Sequence, residues 1–172
     1  PADVDADALP ADFTVAADGA GSHRTVQAAV DAVPALAGAT PGRRWVVRIQ
    51  PGTYRGPLCV QGKAPLALVG PAGGMDAVVL LDDRHAGSPK AAGTPAQPCQ
   101  PNLAAERHGT SGSATAVIAS PDVLMAHLTI ANDATGAFSR PAVLPAAAQG
   151  DGAQAVALMT VADRVQLDNV RL

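Results

Sequence analysis

Two segments of the chain decide its fold: residues 123–130, VLMAHLTI, and residues 165–172, VQLDNVRL. Both read apolar-x-apolar-x-x-apolar-x-apolar, so each consists of two alternating stretches separated by a two-residue slip. A strand points alternate side chains to one face, and the slip is a bend that turns the chain toward the next sheet. The pair therefore predicts coils of a β-solenoid.

Other short apolar segments, separated by Gly/Pro turns, are also predicted to be strands. They are Phe13 to Val15, Trp45 to Gln50, Leu58 to Val60, Leu66 to Gly70, Val78 to Leu81, Thr115 to Ala119 and Gln154 to Val161. No helical pattern alternates with them, which disfavours doubly wound and barrel α/β folds. A β-sandwich could produce the same motif by chance, but its hairpins would favour tight Asn-Gly turns, and the sequence contains none.

One helix is predicted near the N-terminus, with Ser22 or Thr25 as its cap and Pro34 after its end. Its apolar residues follow the spacing i, i+3, i+4, i+7: Val26, Ala29, Val30 and Val33. We expect this stripe to cap the first coil. Residues 1–12 are expected to be irregular and residues 13–172 to form a single domain.

The opposite end of the chain has no such cap. The segment 165–172 keeps its strand pattern up to Leu172, although the last coil of a solenoid needs a cap. We therefore expect residues 13–172 to be the N-terminal part of a longer β-helix domain, truncated at its C-terminal end. The alternative is that the long Pro/Gly/Ala-rich loops, residues 83–112 and 134–152, or a partner chain cover this end.

Composition argues against several classes of partner. The formal net charge is -3 and the sequence pI is about 5.7, so the chain lacks the basic field that nucleic acids or anionic membranes attract. No apolar run reaches the roughly 20 residues of a membrane span, and the first thirty residues do not read as a signal peptide. We expect no membrane span, and any signal peptide to be absent from this chain.

The sequence contains parts of several known binding and catalytic motifs, but each motif lacks a residue that it requires. Gly19-Ala20-Gly21 lacks the third glycine of a dinucleotide fingerprint, and Gly109 to Ser113 lacks the closing glycine of a nucleophile elbow. Asp3 to Asp7 begins like a calcium loop but is not followed by the required glycine. The histidines match no local zinc motif: His23, His85, His108 and His127. No metal and no cofactor is predicted.

Two cysteines, Cys59 and Cys99, are the candidates for a disulfide. In an oxidising compartment a bridge closing this loop of about 40 residues would contribute roughly 4 kcal/mol through chain entropy. Two free thiols are the alternative, and the sequence leaves both open.

Several segments in order resemble the pectin methylesterase (pectinesterase) family, and the long loop around Cys99 resembles its bacterial branch. Three are shared widely among β-helix carbohydrate-active proteins: residues 13–21, 25–34 and 51–55. Three others discriminate better: residues 109–115 (GTSGSAT), 128–133 (LTIAND) and 154–158 (QAVAL). The resemblance runs from about Phe13 to Leu172.

The resemblance implies an all-β, right-handed parallel β-helix of the pectin lyase type, with an N-terminal capping helix. It implies hydrolysis of galacturonate methyl esters in pectin (homogalacturonan), giving methanol and a carboxylate, by a secreted, periplasmic or outer-surface enzyme that is a monomer when complete. In this family one Asp attacks the ester carbonyl, a second Asp is general acid and then base, two Gln amides hold the oxyanion, and an Arg steadies the nucleophile.

Of these residues, the resemblance maps only the first oxyanion Gln onto the chain, at Gln154, and a substrate-contacting threonine at Thr110. The remaining catalytic residues would follow Leu172, so we expect the 172 residues alone to be inactive. Asp163 and Asp168 do not match the catalytic positions and are interpreted as bend and coil-surface residues. The alternative, non-functional interpretations are that Gln154 is a solvent-exposed surface residue and that the Thr110 hydroxyl only stabilises a turn.

Two other functions remain open from the sequence. A relative on this scaffold could act on a thioester or another ester. A catalytically silent β-helix could instead bind carbohydrate or serve as a structural module.

Overall fold

The computed structural model describes residues 4–134 and 152–172. Strands dominate these residues, with two α-helices, α1 (Val26–Ala32) and α2 (Gly109–Gly112), and a 3-10 helix at Leu36–Gly38. The strands are β1 (Phe13–Val15), β2 (Trp45–Ile49), β3 (Gly52–Arg55), β4 (Leu58–Gln61), β5 (Leu66–Val69), β6 (Val78–Asp82), β7 (Ala116–Ala119), β8 (Val123–Asn132), β9 (Leu158–Thr160) and β10 (Gln166–Arg171).

The strands wind into a parallel β-helix with three walls, as predicted. The first wall stacks β1, β2, β5 and the start of β8; the second stacks β3, β6 and the end of β8; the third stacks β4, β7 and β9. Every one of these strand pairs is parallel. One coil therefore runs β2, β3, β4, and the next runs β5, β6, β7.

The two segments that predicted the solenoid are neighbouring coils in register. Strand β10 pairs with β8 through Leu124↔Gln166 and Leu128↔Val170. The predicted bend falls at His127, whose φ of 55° lies in the left-handed region, and Asn169 repeats it with φ of 50°. The sequence motif therefore corresponds to one wall, a left-handed corner and the next wall.

Apolar side chains form columns inside the coils because parallel register places equivalent residues above one another. Val47, Leu68 and Met125 are consecutive partners in the first wall and are fully buried. Removing such a side chain from water stabilises the fold by roughly 1.5–3 kcal/mol. The outer face of the same wall is also covered, since Ala6 and Leu9 of the irregular N-terminal segment pack on it.

Helix α1 closes the first coil, which confirms the predicted capping helix. Thr25 is its N-cap and accepts a hydrogen bond from the Ala28 N–H at 3.1 Å. The Gln27 side chain acts as a neighbouring strand for β4: its Oε1 accepts from the Cys59 N–H at 2.8 Å, and its Nε2 donates to the Cys59 carbonyl at 3.0 Å. The helix therefore supplies hydrogen-bond partners to backbone groups of β4 at the open edge of the third wall.

Some predicted elements were wrong in detail. The turn assigned to Pro51-Gly52 is followed at once by β3, which forms because Gly52–Arg55 pairs with β6. The strand predicted for Gln154 to Val161 is only β9, so Gln154 lies outside regular structure. Helix α2 interrupts a region in which only strands and loops were expected. The predicted loop 134–152 lies almost wholly outside the described residues.

Within the described residues, no helix combines the length and the apolar character needed to span a bilayer.

Candidate active site

The candidate site lies at one corner of the solenoid, between the second and third walls. In the first complete coil, Gly56 and Pro57 join β3 to β4 directly. The next coil leaves this corner after β6 and returns at β7, and the following coil leaves after β8 and returns at β9. Long connections from consecutive coils therefore emerge above one another.

The first of these connections is fastened to the wall of the preceding coil. Cys59 of β4 and Cys99 of the connection form a disulfide, with their Cα atoms 5.4 Å apart. The buried Gln97 donates from Nε2 to the Leu58 carbonyl at 2.8 Å, and its Oε1 accepts from the Cys99 N–H. The candidate cysteine pair is thus bonded in the structure, and it holds the connection in place.

Thr110 lies on this connection, in α2. The residue is exposed, and its backbone carbonyl accepts a hydrogen bond from the Ser113 hydroxyl at 2.7 Å. The helix can lie close to the disulfide-bonded part because Gly112 has no side chain: a Cβ there would be 2.6 Å from the Cβ of Ala96. The Thr110 hydroxyl has no hydrogen-bond partner in the described part of the chain, so it is available to a ligand.

Gln154 lies on the connection from the next coil, and Ala86 links it to the Thr110 segment. The Ala86 N–H donates to the Gln154 carbonyl at 2.7 Å, while the Ala86 carbonyl accepts from the Gly109 N–H at 2.9 Å. Gln154 is exposed, and its side-chain amide has no partner among residues 4–134 and 152–172. The structure therefore links the segment of Gln154 to the segment of Thr110 through Ala86.

A second set of contacts joins the connection after β6 to the connection after β8. The Gly87 N–H donates to the Gly152 carbonyl at 2.7 Å, and His85 Nδ1 lies 2.9 Å from the same oxygen. Gly152 has φ of 89°, and a Cβ there would come within 2.9 Å of the Gly87 Cα. Sequence reasoning did not single out these residues, because their role arises only where two loops distant in sequence meet.

Asn132, the last residue of β8, ties the site to the solenoid. Its Nδ2 donates to the carbonyls of Arg84 at 2.8 Å and Ser113 at 2.9 Å and lies 3.4 Å from that of Val156. Its Oδ1 accepts from the Ala134 N–H at 3.0 Å. The one signal in the sequence was a polar residue at the end of a mostly apolar strand.

The described corner supplies neutral donors. A side-chain amide without a partner can donate to an oxygen that gains negative charge, and it does so without a positive charge that would retain an anionic product. Asp163 and Asp168 are exposed and lie between β9 and β10 and on β10, respectively. Among the described residues, no cluster of three or more His, Cys, Asp or Glu side chains is arranged to hold a metal ion.

Solved structures with the same fold include pectin methylesterases, which confirms the resemblance seen in the sequence. Escherichia coli YbhC is 26% identical, with a TM-score of 0.73 over 99% of this chain and 44% of its own. Rice weevil pectin methyl esterase is 25% identical, with a TM-score of 0.72 over 100% of this chain and 45% of its own. A pectin methylesterase in complex with a hexasaccharide is 26% identical, with a TM-score of 0.70 over 95% of this chain and 43% of its own.

The chain therefore spans less than half the length of these structures. No protein-family model matches the chain, and no curated protein matches it. The structural likeness establishes a pectinesterase-like parallel β-helix for the residues present.

Proposed function

We propose that this chain is part of a pectinesterase, an enzyme that hydrolyses galacturonate methyl esters in pectin to methanol and pectate. One observation carries the proposal: in a fold shared with pectin methylesterases, Ala86 joins the segments of Gln154 and Thr110 through backbone hydrogen bonds of 2.7 and 2.9 Å. These are the positions onto which the family's oxyanion donor and substrate-contacting threonine map.

Gln154 is proposed to stabilise the oxyanion that forms when the ester carbonyl is attacked. Its amide N–H would bind this oxygen more strongly in the tetrahedral transition state than in the ester, and only such a difference accelerates the chemical step. Its amide has no competing partner in the described residues, and its backbone is held by Ala86. Both features favour a donor that is positioned before substrate arrives.

Thr110 is proposed to contact the sugar. Its hydroxyl is exposed, and a hydroxyl can both donate to and accept from a polysaccharide. The hydroxyl of its neighbour Ser113 is already bonded within α2. Thr110 is therefore the better placed of the two to bind a ligand.

The rest of the proposed machinery is the nucleophilic Asp, the acid/base Asp, the second Gln and the Arg that the resemblance implies. None of them maps onto the 172 residues. We accordingly propose the aspartyl-esterase activity for the protein that carries those residues together with this chain. The 172 residues alone are expected to release no methanol.

The disulfide supports an exported enzyme, because such bonds persist in secreted and periplasmic proteins and are rare in a reducing cytosol. We propose a secreted, periplasmic or outer-surface location with pectin as the partner. The complete protein is proposed to act as a monomer.

Methanol release tests the proposal. The protein expressed from its full gene is incubated with highly methylated pectin and, as a control, with fully de-esterified polygalacturonate. Methanol is expected only from the methylated polymer and only from the full-length protein. Activity on a thioester or a non-uronate ester with none on pectin would assign another esterase, and binding without hydrolysis would assign a silent carbohydrate-binding β-helix.

A further inference from the structure

A concave site lies beside β3, one coil before the disulfide-fastened connection. Its volume is about 190 Å³, and its walls include Arg24, Thr53, Tyr54 and Arg55. Pockets for drug-sized ligands usually enclose about 300–1,000 Å³, so this one suits a single small unit of a longer ligand. No acidic residue of the described segments lines it.

The two arginines of this pocket stand apart from the other basic side chains that the structure describes. Carboxylates or backbone carbonyls engage Arg43, Arg48, Lys63, Arg84, Lys90, Arg107, Arg164 and Arg171. Arg44 has a buried Nη1 without a hydrogen-bond partner in the described residues, but it lines a pocket together with Asp122 and helps to lower the pKa of that carboxyl. Over residues 4–134 and 152–172, Arg55 has neither an ion pair nor a hydrogen bond. Arg24 has one long hydrogen bond, 3.5 Å to the Ala17 carbonyl.

Local structure places Arg24 at the pocket. Its guanidinium lies against Gly19, where a Cβ would come within 2.6 Å of the Arg24 Cζ. Gly19 has φ of 88°, a conformation that glycine adopts at no steric penalty. The turn therefore leaves room for the guanidinium.

The remaining wall is uncharged. The Tyr54 hydroxyl donates to the Gln50 carbonyl at 2.8 Å, and burial raises the pKa of this phenol above its ordinary value of 10.0. Tyr54 therefore stays neutral at physiological pH. Among the described residues, the charged groups that line the pocket are the two guanidinium groups. The Asp18 carboxylate lies outside the lining but close enough to act on Tyr54.

The pocket lies at the same corner of the solenoid as Gln154. Leu58, Thr115 and Val156 are stacked by hydrogen bonds of 2.7 and 2.9 Å between successive coils. Arg55 lies three residues before Leu58, and Gln154 lies two residues before Val156. Since neighbouring strands lie about 4.8 Å apart, the segments that carry the two residues are two coils apart, or about 10 Å along the solenoid axis.

From this arrangement we infer that Arg24 and Arg55 form a subsite for the free carboxylate of one uronate unit, separate from the ester-hydrolysing position. A guanidinium offers parallel N–H donors that match the two oxygens of a carboxylate. The pocket accepts an acidic sugar and disfavours its methyl ester, which has no charge. The two arginines indicate a carboxylate ligand. That this carboxylate belongs to a uronate unit rests on the proposed function.

Titration calorimetry with unesterified trigalacturonate and with its uncharged uronamide, which carries no ester to hydrolyse, tests the subsite in the full-length protein. Arg24→Gln and Arg55→Gln should each weaken binding of the acid about threefold to fivefold, as expected for exposed charge pairs. The double variant should lose about tenfold, while binding of the uronamide stays unchanged. Added salt should weaken acid binding to the wild type more than to the double variant.

Arg164→Gln is the matched control, because it removes the same charge at a different corner, before β10. Unchanged affinity of the double variant for the acid, or no binding of the acid by the wild type, would overturn the inference.

Methanol release from the same proteins separates the two proposals. Hydrolysis without arginine-dependent binding defeats only the subsite, whereas arginine-dependent binding without hydrolysis defeats only the proposed enzyme activity.

Discussion

The backbone N–H of Ala86 donates to the carbonyl of Gln154 across 2.7 Å, and this bond joins two connections that leave the solenoid on consecutive coils. Through the Ala86 carbonyl, the same residue also holds Gly109, next to Thr110. The link between the segments of Gln154 and Thr110 is therefore made by main-chain atoms. Side-chain variants at Gln154 and Thr110 can accordingly be made without breaking this scaffold.

Replacing Gln154 by Ala should lower kcat about a hundredfold to a thousandfold in the full-length protein and change KM little, because an oxyanion donor acts mainly in the transition state. Initial rates of methanol release over a range of pectin concentrations separate the two constants. Gln61→Ala, which removes an exposed amide from β4, should leave both unchanged. A Gln154→Ala enzyme with wild-type kcat would make Gln154 an ordinary surface residue.

Replacing Asn132 by Ala should destabilise the corner, because the amide that donates to the Arg84 and Ser113 carbonyls is lost. We expect a loss of about 1–3 kcal/mol in the free energy of unfolding, measured by urea denaturation. Hydrogen exchange should rise at the Thr115 amide, which is bonded to Val156. Gln166→Ala, at an exposed position of β10, is the control, and equal stabilities for the two variants would contradict this role for Asn132.

The fold could be predicted largely because its signals are local. The slip in residues 123–130 and 165–172 reports the bend directly, and the stripe of α1 reports a helix with one buried face. Strand β3 was missed because a Pro-Gly turn precedes it and its pairing with β6 is long-range. The extent of β9 was overestimated because an apolar segment does not show how much of it finds a strand partner.

The candidate site was predictable only through family resemblance. That resemblance singled out Gln154 and Thr110, and their catalytic roles stay predictions. No local pattern revealed that Ala86 joins their segments or that Asn132 anchors the corner, because both contacts connect loops that meet only in the folded chain. The arginine pocket was missed for the same reason, since Arg24 and Arg55 belong to different coils.

Loss of the Cys59–Cys99 bond should destabilise the chain by about 4 kcal/mol, the chain-entropy contribution of a loop of about 40 residues. Urea unfolding with and without reductant measures this difference. A double Cys59→Ala, Cys99→Ala variant should match the reduced wild type and show no response to reductant. If the oxidised and reduced proteins unfold at the same urea concentration, the bridge does not hold the connection in solution.

The ion pair between Asp122 and Arg164 should make stability depend on pH in the acidic range. Its hydrogen bonds of 2.5 and 2.9 Å to Arg164 hold the pKa of Asp122 below its ordinary value of 3.8. A carboxyl with a lowered folded-state pKa stabilises the fold above its ordinary pKa and loses that contribution as pH falls through the folded value. Asp122→Asn is a suitable variant because Asn tolerates the left-handed φ of 59° at this position.

Because the variant lacks the ion pair, thermal unfolding should show the wild type to be more stable than the variant at neutral pH. This difference should disappear well below pH 3.8 and shrink in high salt. A difference that is constant from neutral to strongly acidic pH would show that the pair does not stabilise the fold electrostatically.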